Sequence, residues 1–321
     1  MVSSKTGKIL GLVYGRELLS YDFGPDHVMN ARRMQAFFTA LESSGLHYDD
    51  RIFLIKPRMA TLEEIALYHD KKYIDFVKEM SAEGTGLLDH GDTPAFPGVF
   101  EAASYTVGST LAAFEAIIEH KVNYSMNPMG GMHHARRGRA AGFCVFNDIG
   151  VLIEKARRRY GLKKILYVDL DAHHGDGVMY DYYDDPDLYV VDFHENGRYL
   201  YPGTGFEGET GGGPAVGTKL NLLLKPGASD EEFKQKMEKA KQFISQESFE
   251  LTILQAGVDS IAGDPITHLN LSAYAHLSML SFLKELSSKS AVGPLIVLGG
   301  GGYNLNNIAE VWTKIVKTLI G

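Results

Sequence analysis

The stretch ILYVDLDAHHGDG at residues 165–177 carries most of what the sequence predicts about the fold. It opens with a continuous apolar run, the pattern of a parallel strand that is covered on both faces. Further runs of this kind are LYVV at 188–191, LNLLL at 220–224, LTIL at 251–254 and LIVL at 295–298, and residues 122–126 predict one more strand. Amphipathic segments of helical length lie at 97–118, 148–160, 229–245, 271–286 and 306–320. This alternation predicts an α/β fold with a central parallel sheet and helices on both sides.

Length and composition bound the domain organisation. The chain has 321 residues, of which 45% are hydrophobic, and neither a repeat nor a low-complexity linker divides it. We therefore expect residues 1–321 to form a single domain whose core needs no disulfides. Cys144 is the only cysteine, which excludes an intramolecular disulfide and a cysteine-rich zinc site. A lone thiol is typical of proteins in the reducing cytoplasm.

The net charge of −8 argues against a surface that binds nucleic acid. Residues 1–8 are polar, so no secretory signal is predicted, and no apolar run reaches the roughly 18 residues of a membrane span. We expect a cytoplasmic protein without nucleic-acid or membrane partners. The sequence leaves the oligomeric state open.

Polar residues gather where the predicted strands end. The strands at 165–168, 188–191, 251–254 and 295–298 are followed by DLDAHH, DFH, QAGVD and GGGGY, and the strand near 122–126 is followed by GGMHH at 130–134. In open parallel sheets, ligands bind in the crevice beyond the carboxyl ends of the strands. The pattern therefore predicts a functional site at this edge of the sheet.

Asp171 and His173 are candidate metal ligands. They are two residues apart at a strand end, and strand alternation would point both side chains to the same side. Asp259, at the end of another strand, is the candidate third ligand. Three protein ligands and one open position are typical of a catalytic metal site, and this oxygen-rich set suits Zn²⁺, Fe²⁺ or another divalent ion. The alternative is that Asp171 and His173 are polar residues that cap a strand.

His133 and His134 form a candidate proton-transfer pair. A metal-activated water needs a proton acceptor, and an amine leaving group later needs a proton donor. Asp169 and Asp176 are the candidate partners that fix the imidazole tautomers. The alternative is a pair of solvent-exposed loop histidines. His174 is left without a chemical task, and we expect it to orient a metal ligand through a hydrogen bond.

Tyr303 follows the four glycines at 299–302. Such a loop lets backbone approach a ligand closely, and the phenol is placed to donate a hydrogen bond to a developing oxyanion. The alternatives are an ordinary loop tyrosine and a glycine loop that cradles a phosphate. The phosphate alternative lacks the Lys-Ser/Thr pair of a P-loop.

Five segments together resemble the metal-dependent histone deacetylase family, including its bacterial and archaeal acetoin-utilisation relatives. They are GGMHHARRGRAAGFCVFND (130–148), YVDLDAHHGDG (167–177), YPGTG (201–205), AGVDSIAGDP (256–265) and GGGGYN (299–304). Weaker matches are HVMNARR (27–33) and GDTPAFPG (91–98). The segments follow the order of the family and span most of the chain.

The resemblance implies a single-domain, arginase- and deacetylase-like α/β/α fold. It implies zinc-dependent, or other divalent-metal-dependent, hydrolysis of an acyl-lysine or similar acylated amine to a free amine and a carboxylate. It places the metal ligands at Asp171, His173 and Asp259. It places the catalytic groups at His133, His134, Asp169, Asp176 and Tyr303.

The same resemblance implies a substrate tunnel for the slender apolar stem of lysine. Its walls are expected at Gly142, Phe143, Tyr201 and Ile266. Asp92 matches a rim acid that grips the substrate backbone, and Arg33 matches a buried arginine near the acetate exit path. The residues themselves leave alternatives: core packing for Phe143, a turn or capping role for Asp92 and a surface salt bridge for Arg33.

Two departures from the family pattern affect the ligands. Relatives often carry Ser-Leu-His where this chain has Asp192-Phe193-His194. A structural K⁺ or Na⁺ is therefore expected near Asp169, Asp171, His173, Asp192 and Phe193, with altered coordination. Polyamine-selective relatives place an acid at the position of Ile266, so hydrolysis of acetylpolyamines or other small molecules is kept as the alternative. A binuclear arginase-like enzyme and a non-catalytic acyl-lysine-binding module are further alternatives.

Overall fold

A computed structural model describes residues 7–289 and 293–321. Its sheet contains the strands β1 (Leu10–Val13), β2 (Ile52–Ile55), β3 (Tyr124–Asn127), β4 (Ile165–Asp169), β5 (Leu188–Glu195), β6 (Lys219–Leu224), β7 (Leu251–Gln255) and β8 (Leu295–Leu298). The eight strands lie in the order β2-β1-β3-β8-β7-β4-β5-β6, and all pairs are parallel. The predicted α/β fold with a central parallel sheet is confirmed.

Ten helices connect or flank the strands within the described residues. They are α1 (Arg32–Ser43), α2 (Leu62–Ile65), α3 (Lys71–Glu83), α4 (Val99–Ile118), α5 (Asp148–Tyr160), α6 (Asp176–Asp181), α7 (Asp230–Ile244), α8 (Ala273–Ser288), α9 (Leu305–Asn307) and α10 (Thr313–Ile320). Helix α4 packs on β1 and β3 with α3 and α5 beside it, and α10 packs with α1 and α8. No helix within 7–289 and 293–321 is both long and apolar enough to cross a membrane.

The N-terminal third contains elements that the sequence patterns did not predict. Strands β1 and β2 have four residues each, and β1 is fully buried. A strand this short gives little periodic signal, and Gly11 weakens it further. Gly11 packs closely against the neighbouring strand, because a Cβ there would lie 2.8 Å from the Cδ1 of Ile55. Helices α1 and α3 were also not predicted.

The helix predicted over 306–320 is interrupted. The chain forms α9, then a π-helical turn over Ile308–Trp312, then α10. A π turn rotates the side chains that follow it relative to a regular α-helix. Here the fully buried Trp312 donates its indole N–H to the carbonyl of Ala256 at 3.0 Å. The turn thus connects the C-terminal helix to the loop that follows β7.

The register of the central strands places their carboxyl ends in one row. Asn127 of β3 pairs with Leu298 of β8, Leu298 pairs with Gln255 of β7, and Gln255 pairs with Asp169 of β4. Because these four strands are neighbours, the loops that follow them leave the sheet side by side. Those loops carry the predicted site residues.

Gly108 of α4 allows a close crossing by the segment 58–60. A Cβ at Gly108 would lie 2.2 Å from the carbonyl oxygen of Arg58 and 2.4 Å from the nitrogen of Ala60. We expect Gly108→Ala to destabilise the fold, because overpacking costs about 1–3 kcal/mol and exceeds the gain of about 1 kcal/mol in helix propensity. The urea midpoint measures this loss. Gly208→Ala is the control, since a Cβ there meets open space; an unchanged midpoint for Gly108→Ala would contradict the packing argument.

Candidate active site

The four central strand ends bring the predicted site residues together. His133 and His134 follow β3, Asp171 and His173 follow β4, Asp259 follows β7 and Tyr303 follows β8. All except Tyr303, which is half-buried, are buried. The crevice that the sequence predicts beyond the strand ends therefore contains its candidate catalytic groups.

Asp171, His173 and Asp259 form a buried group with the geometry of a metal site. One ligand atom from each lies within 4.8 Å of the others. The Nδ1 of His173 is 3.0 Å from Asp171 Oδ1 and 3.1 Å from Asp259 Oδ2. Two buried carboxylates this close repel each other unless a cation lies between them. The donor set therefore fits a divalent ion, and no second group of this kind occurs within 7–289 and 293–321.

The prediction that strand alternation points Asp171 and His173 to the same side was wrong. Strand β4 ends at Asp169, so strand alternation does not orient Asp171 and His173. Hydrogen bonds in the following turn orient them instead. The amide of Asp171 donates to Asp169 Oδ1, and the amide of His173 donates to Asp171 Oδ1, both at 3.0 Å.

Three donors fix the two carboxylates, and one of them, Gln255, was given no role by the sequence. Gln255 donates from Nε2 to Asp171 Oδ2 at 2.8 Å, and the amide of Gly301 donates to the same oxygen at 2.8 Å. The amide of Ala172 donates to Asp259 Oδ1 at 2.8 Å. A Cβ at Gly301 would lie 2.2 Å from Asp259 Oδ2, so the glycine loop packs directly against the carboxylates. This contact leaves no room for the phosphate that was one alternative for the loop.

His133 and His134 each have their own carboxylate. His133 Nδ1 lies 2.7 Å from Asp169 Oδ2, and His134 Nδ1 lies 2.7 Å from Asp176 Oδ1. The two Nε2 atoms are 3.0 Å apart. Both rings are buried, which excludes the alternative of exposed loop histidines. The structure thus brings each histidine to the carboxylate that the sequence pairs with it.

The environments of the two imidazoles drive their pKa values apart. Burial lowers the pKa of His133, but the Asp169 and Asp171 carboxylates outweigh it and raise the pKa to about 10. Burial and the charge of His133 lower the pKa of His134 to about 4, against the opposing effect of Asp176. His133 is therefore the more basic and His134 the less basic of the two imidazoles.

Asp148 holds the loop that carries the two histidines. This fully buried carboxylate accepts the amide of Gly131 at 3.0 Å and that of Met132 at 2.8 Å. It also accepts the hydroxyl of Thr110 at 2.6 Å. The one local signal was its place beside Asn147, whose side chain caps α5. A capping pattern marks a helix start and does not reveal that Asp148 reaches back to residues 131–132.

Tyr303 lies between the tunnel wall and the buried arginine. Its ring packs edge-to-face on Phe143 with centroids 5.9 Å apart, and the Arg33 guanidinium lies 5.3 Å from its centroid. Burial, together with the Asp259 and Asp171 carboxylates, holds the pKa of Tyr303 well above its ordinary value, so the phenol keeps its proton. Within the part of the chain that the structure describes, no group accepts that hydroxyl, which leaves it available to a ligand.

Arg33 is fully buried and supports the glycine loop. It donates to the carbonyl of Gly300 at 2.6 Å and to that of Gly302 at 2.7 Å. These contacts exclude the alternative of a surface salt bridge. Arg33 thereby lies directly beneath the backbone that carries Tyr303.

Three of the four predicted wall residues surround the histidines and Tyr303. The Tyr201 ring lies 5.0 Å from that of His134. A Cβ at Gly142 would lie 2.4 Å from the His134 ring and 3.0 Å from that of Tyr201, so Gly142 lies between them. Phe143 faces Tyr303, is half-buried and packs against the edge of the hydrophobic core.

The remaining wall and rim residues lie further out. Ile266 is half-buried on the loop after Asp259, where its amide donates to Asp264 at 3.1 Å. Asp92 is an exposed residue, and partial desolvation of its carboxyl by the surrounding loop, together with the neighbouring Asp89 carboxylate, raises its pKa to about 6. Asp89 makes the turn hydrogen bonds that were the alternative role for Asp92.

The expectation for His174 was wrong. It bonds no metal ligand: its Nδ1 lies 2.9 Å from Thr204 Oγ1, and its Nε2 lies 2.9 Å from Met179 Sδ. A Cβ at Gly205 would lie 2.6 Å from the His174 ring. His174 therefore packs under the 201–205 loop and supports the segment that carries Tyr201.

The comparisons with known proteins agree with this geometry. The family description "Histone deacetylase domain" matches residues 27–319. The chain is 35% identical over 313 residues to the acetoin utilization protein AcuC of Bacillus subtilis (strain 168), covering 94% of this chain and 80% of that protein. It is 32% identical over 329 residues to AcuC of Staphylococcus aureus (strain MSSA476), covering 99% and 82%. It is 31% identical over 320 residues to the probable histone deacetylase 1-A of Xenopus laevis, covering 96% of this chain but spanning only 64% of that protein. The chain therefore belongs to the histone deacetylase family.

Proposed function

We propose that this deacetylase-family hydrolase cleaves the amide of an acyl-lysine, or a similar acylated amine, with the help of one divalent metal ion. The observation that carries the proposal is the convergence of two groups of side chains. Asp171, His173 and Asp259 converge as metal ligands, and the His133 Nε2, from the adjoining pair of histidines, lies 3.9 Å from Asp171 Oδ1. A bound divalent ion, Zn²⁺ or Fe²⁺, would supply the Lewis acidity that activates water and the acyl carbonyl.

The protein groups would then move protons in a fixed order. His134 is neutral, so its Nε2 accepts the proton of the attacking water, while Asp176 stabilises the resulting imidazolium. The Tyr303 hydroxyl donates a hydrogen bond to the oxyanion that forms from the carbonyl. A proton from the His133/His134 pair finally protonates the leaving amine.

The substrate would enter between the apolar walls. Its slender alkyl stem would pass beside Gly142, Phe143 and Tyr201, and Asp92 at the rim would suit a peptide backbone or a cationic group. Ile266 offers no charge to a second ammonium, which favours acyl-lysine over acetylpolyamine. Hydrolysis of a small acylated amine remains the second candidate function, and acyl length is open.

Several smaller expectations stay predictions. One is a K⁺ or Na⁺ near Asp192. That carboxylate lies 2.7 Å from His194 Nδ1 and accepts the amide of Gly175 at 2.9 Å. Both contacts offset its charge without an ion. The single-domain organisation, the cytoplasmic location and the absence of a nucleic-acid partner are the others.

Metal content tests the ligand set. We expect one divalent ion per chain by elemental analysis, and Asp259→Asn to reduce it to below about a tenth, because a neutral amide is a weak ligand for Zn²⁺ or Fe²⁺. Asp50→Asn, at an exposed position, is the control and should bind metal like the wild type. Two catalytic ions per chain would favour the binuclear arginase-like alternative.

Turnover of an acetyl-lysine peptide tests the catalytic groups. We expect His134→Ala and Tyr303→Phe to fold normally and to lower kcat by about 10²–10⁴-fold, since each removes a proton acceptor or an oxyanion donor. Tyr199→Phe, at an exposed tyrosine, should retain wild-type kcat. Wild-type rates in both site variants would contradict these roles, and metal-loaded protein without any turnover would favour the binding-module alternative.

A panel of acylated peptides and small acylated amines tests the substrate class. We expect the Zn²⁺- or Fe²⁺-loaded protein to give a higher kcat/KM on acetyl-lysine peptides than on acetylpolyamines, because Ile266 offers no charge to a second ammonium. A preference for acetylpolyamines would support the second candidate function. Chelation of the metal should abolish hydrolysis of every substrate in the panel.

A further inference from the structure

The rim loop 89–93 is organised by one carboxylate. Asp89 Oδ1 accepts the amides of Gly91, Asp92 and Thr93, each at 3.0 Å. These three hydrogen bonds, together with the Leu88 amide that donates to the Thr93 carbonyl at 2.8 Å, close the loop on itself. The position of Asp92 at the rim is thus set by Asp89.

The second carboxylate oxygen of Asp89 is linked through the Thr93 hydroxyl to Phe143, a residue of the predicted tunnel wall. The Thr93 hydroxyl donates to Asp89 Oδ2 at 2.6 Å. The hydroxyl proton is engaged in that bond, so the hydroxyl oxygen is free to act as an acceptor. It accepts the amide N–H of Phe143, with 3.0 Å between the nitrogen and the oxygen. Thr93 is fully buried, so water does not compete for either bond.

Phe143, whose amide donates to Thr93, has an uncommon backbone conformation. Phe143 has φ of +67°, in the left-handed region that bulky residues rarely adopt. Such a conformation persists only where neighbouring groups fix it. Here Thr93 holds the amide, and the Tyr21 hydroxyl donates to the Phe143 carbonyl at 2.7 Å. The pinned backbone directs the Phe143 ring toward Tyr303.

We propose that Asp89 and Thr93 are positioning residues that couple the rim acid Asp92 to the tunnel wall at Phe143. The inference rests on the proposed function, because the wall and rim matter only for a substrate that passes between them. The Asp89 carboxylate positions the rim acid, which would meet the substrate backbone. Through the Thr93 hydroxyl it also positions Phe143, which would enclose the acyl-bearing stem. Neither residue contacts the reacting atoms.

Kinetics with two substrates separates this role from a general loss of stability. An acetylated alkylamine occupies only the tunnel, whereas an acetyl-lysine peptide also reaches the rim. We expect Thr93→Val to lower kcat/KM about tenfold for both substrates, the scale of one buried hydrogen bond. Thr93→Ser keeps the hydroxyl and should stay within about twofold of the wild type. The control Asp92→Asn should affect the peptide alone.

Asp89→Asn is a second variant that preserves the loop. Its amide oxygen can still accept the three backbone amides, but its NH₂ group cannot accept the Thr93 hydroxyl. We expect kcat/KM for the alkylamine to fall severalfold. Unchanged alkylamine kinetics in both Thr93→Val and Asp89→Asn, or equal losses in Thr93→Val and Thr93→Ser, would overturn the proposal.

Hydrogen exchange tests the same link without turnover. The Phe143 amide is hydrogen-bonded to a buried oxygen and should exchange slowly in the wild type. We expect its exchange to accelerate about tenfold or more in Thr93→Val but not in Thr93→Ser. If the metal-loaded wild type hydrolyses neither substrate, the proposed function fails, and the exchange rate still decides whether Thr93 fixes Phe143. Equal exchange in all three proteins would overturn the positioning role.

Discussion

The buried negative charge at the carboxyl edge of the sheet is the constraint on which the site depends. Buried carboxylates there include Asp169, Asp171, Asp192 and Asp259. A buried carboxylate is stable only when it is paired and hydrogen-bonded, so each must find a cation or several donors. His133 is the hydrogen-bond partner of Asp169, and His194 is the hydrogen-bond partner of Asp192. Asp171 and Asp259 share His173, and the remaining negative charge would be offset by the divalent ion proposed for this site.

This charge arrangement explains why the proton-transfer groups differ although they are adjacent in sequence. His133 faces the carboxylates around the metal site and therefore keeps its proton. His134 faces Asp176 alone and the charge of its neighbour, so it stays neutral. Two identical side chains thus acquire different proton affinities from their surroundings, which is the general route by which one site can supply both an acid and a base.

The chemistry of the site was largely predictable because it lies in short motifs directly after strands. Asp171 and His173 share one motif, His133 and His134 share another, and both follow apolar runs. The supporting residues were not predictable, because their contacts join distant parts of the chain. Gln255 reaches Asp171 across 84 positions and Thr93 reaches Phe143 across 50. Neither glutamine at a strand end nor threonine before a proline carries a local signal for such a contact.

The π turn near the C-terminus has a practical consequence for handling the protein. Trp312 donates to the carbonyl of Ala256, three residues before the candidate metal ligand Asp259, and His276 Nε2 donates to the carbonyl of Gly257 at 2.6 Å. The loop that carries Asp259 is therefore hydrogen-bonded to side chains from α8 and from the π turn before α10. Trimming the protein before Trp312, or attaching a bulky fusion that pulls α10 away, would loosen the metal loop from a distance.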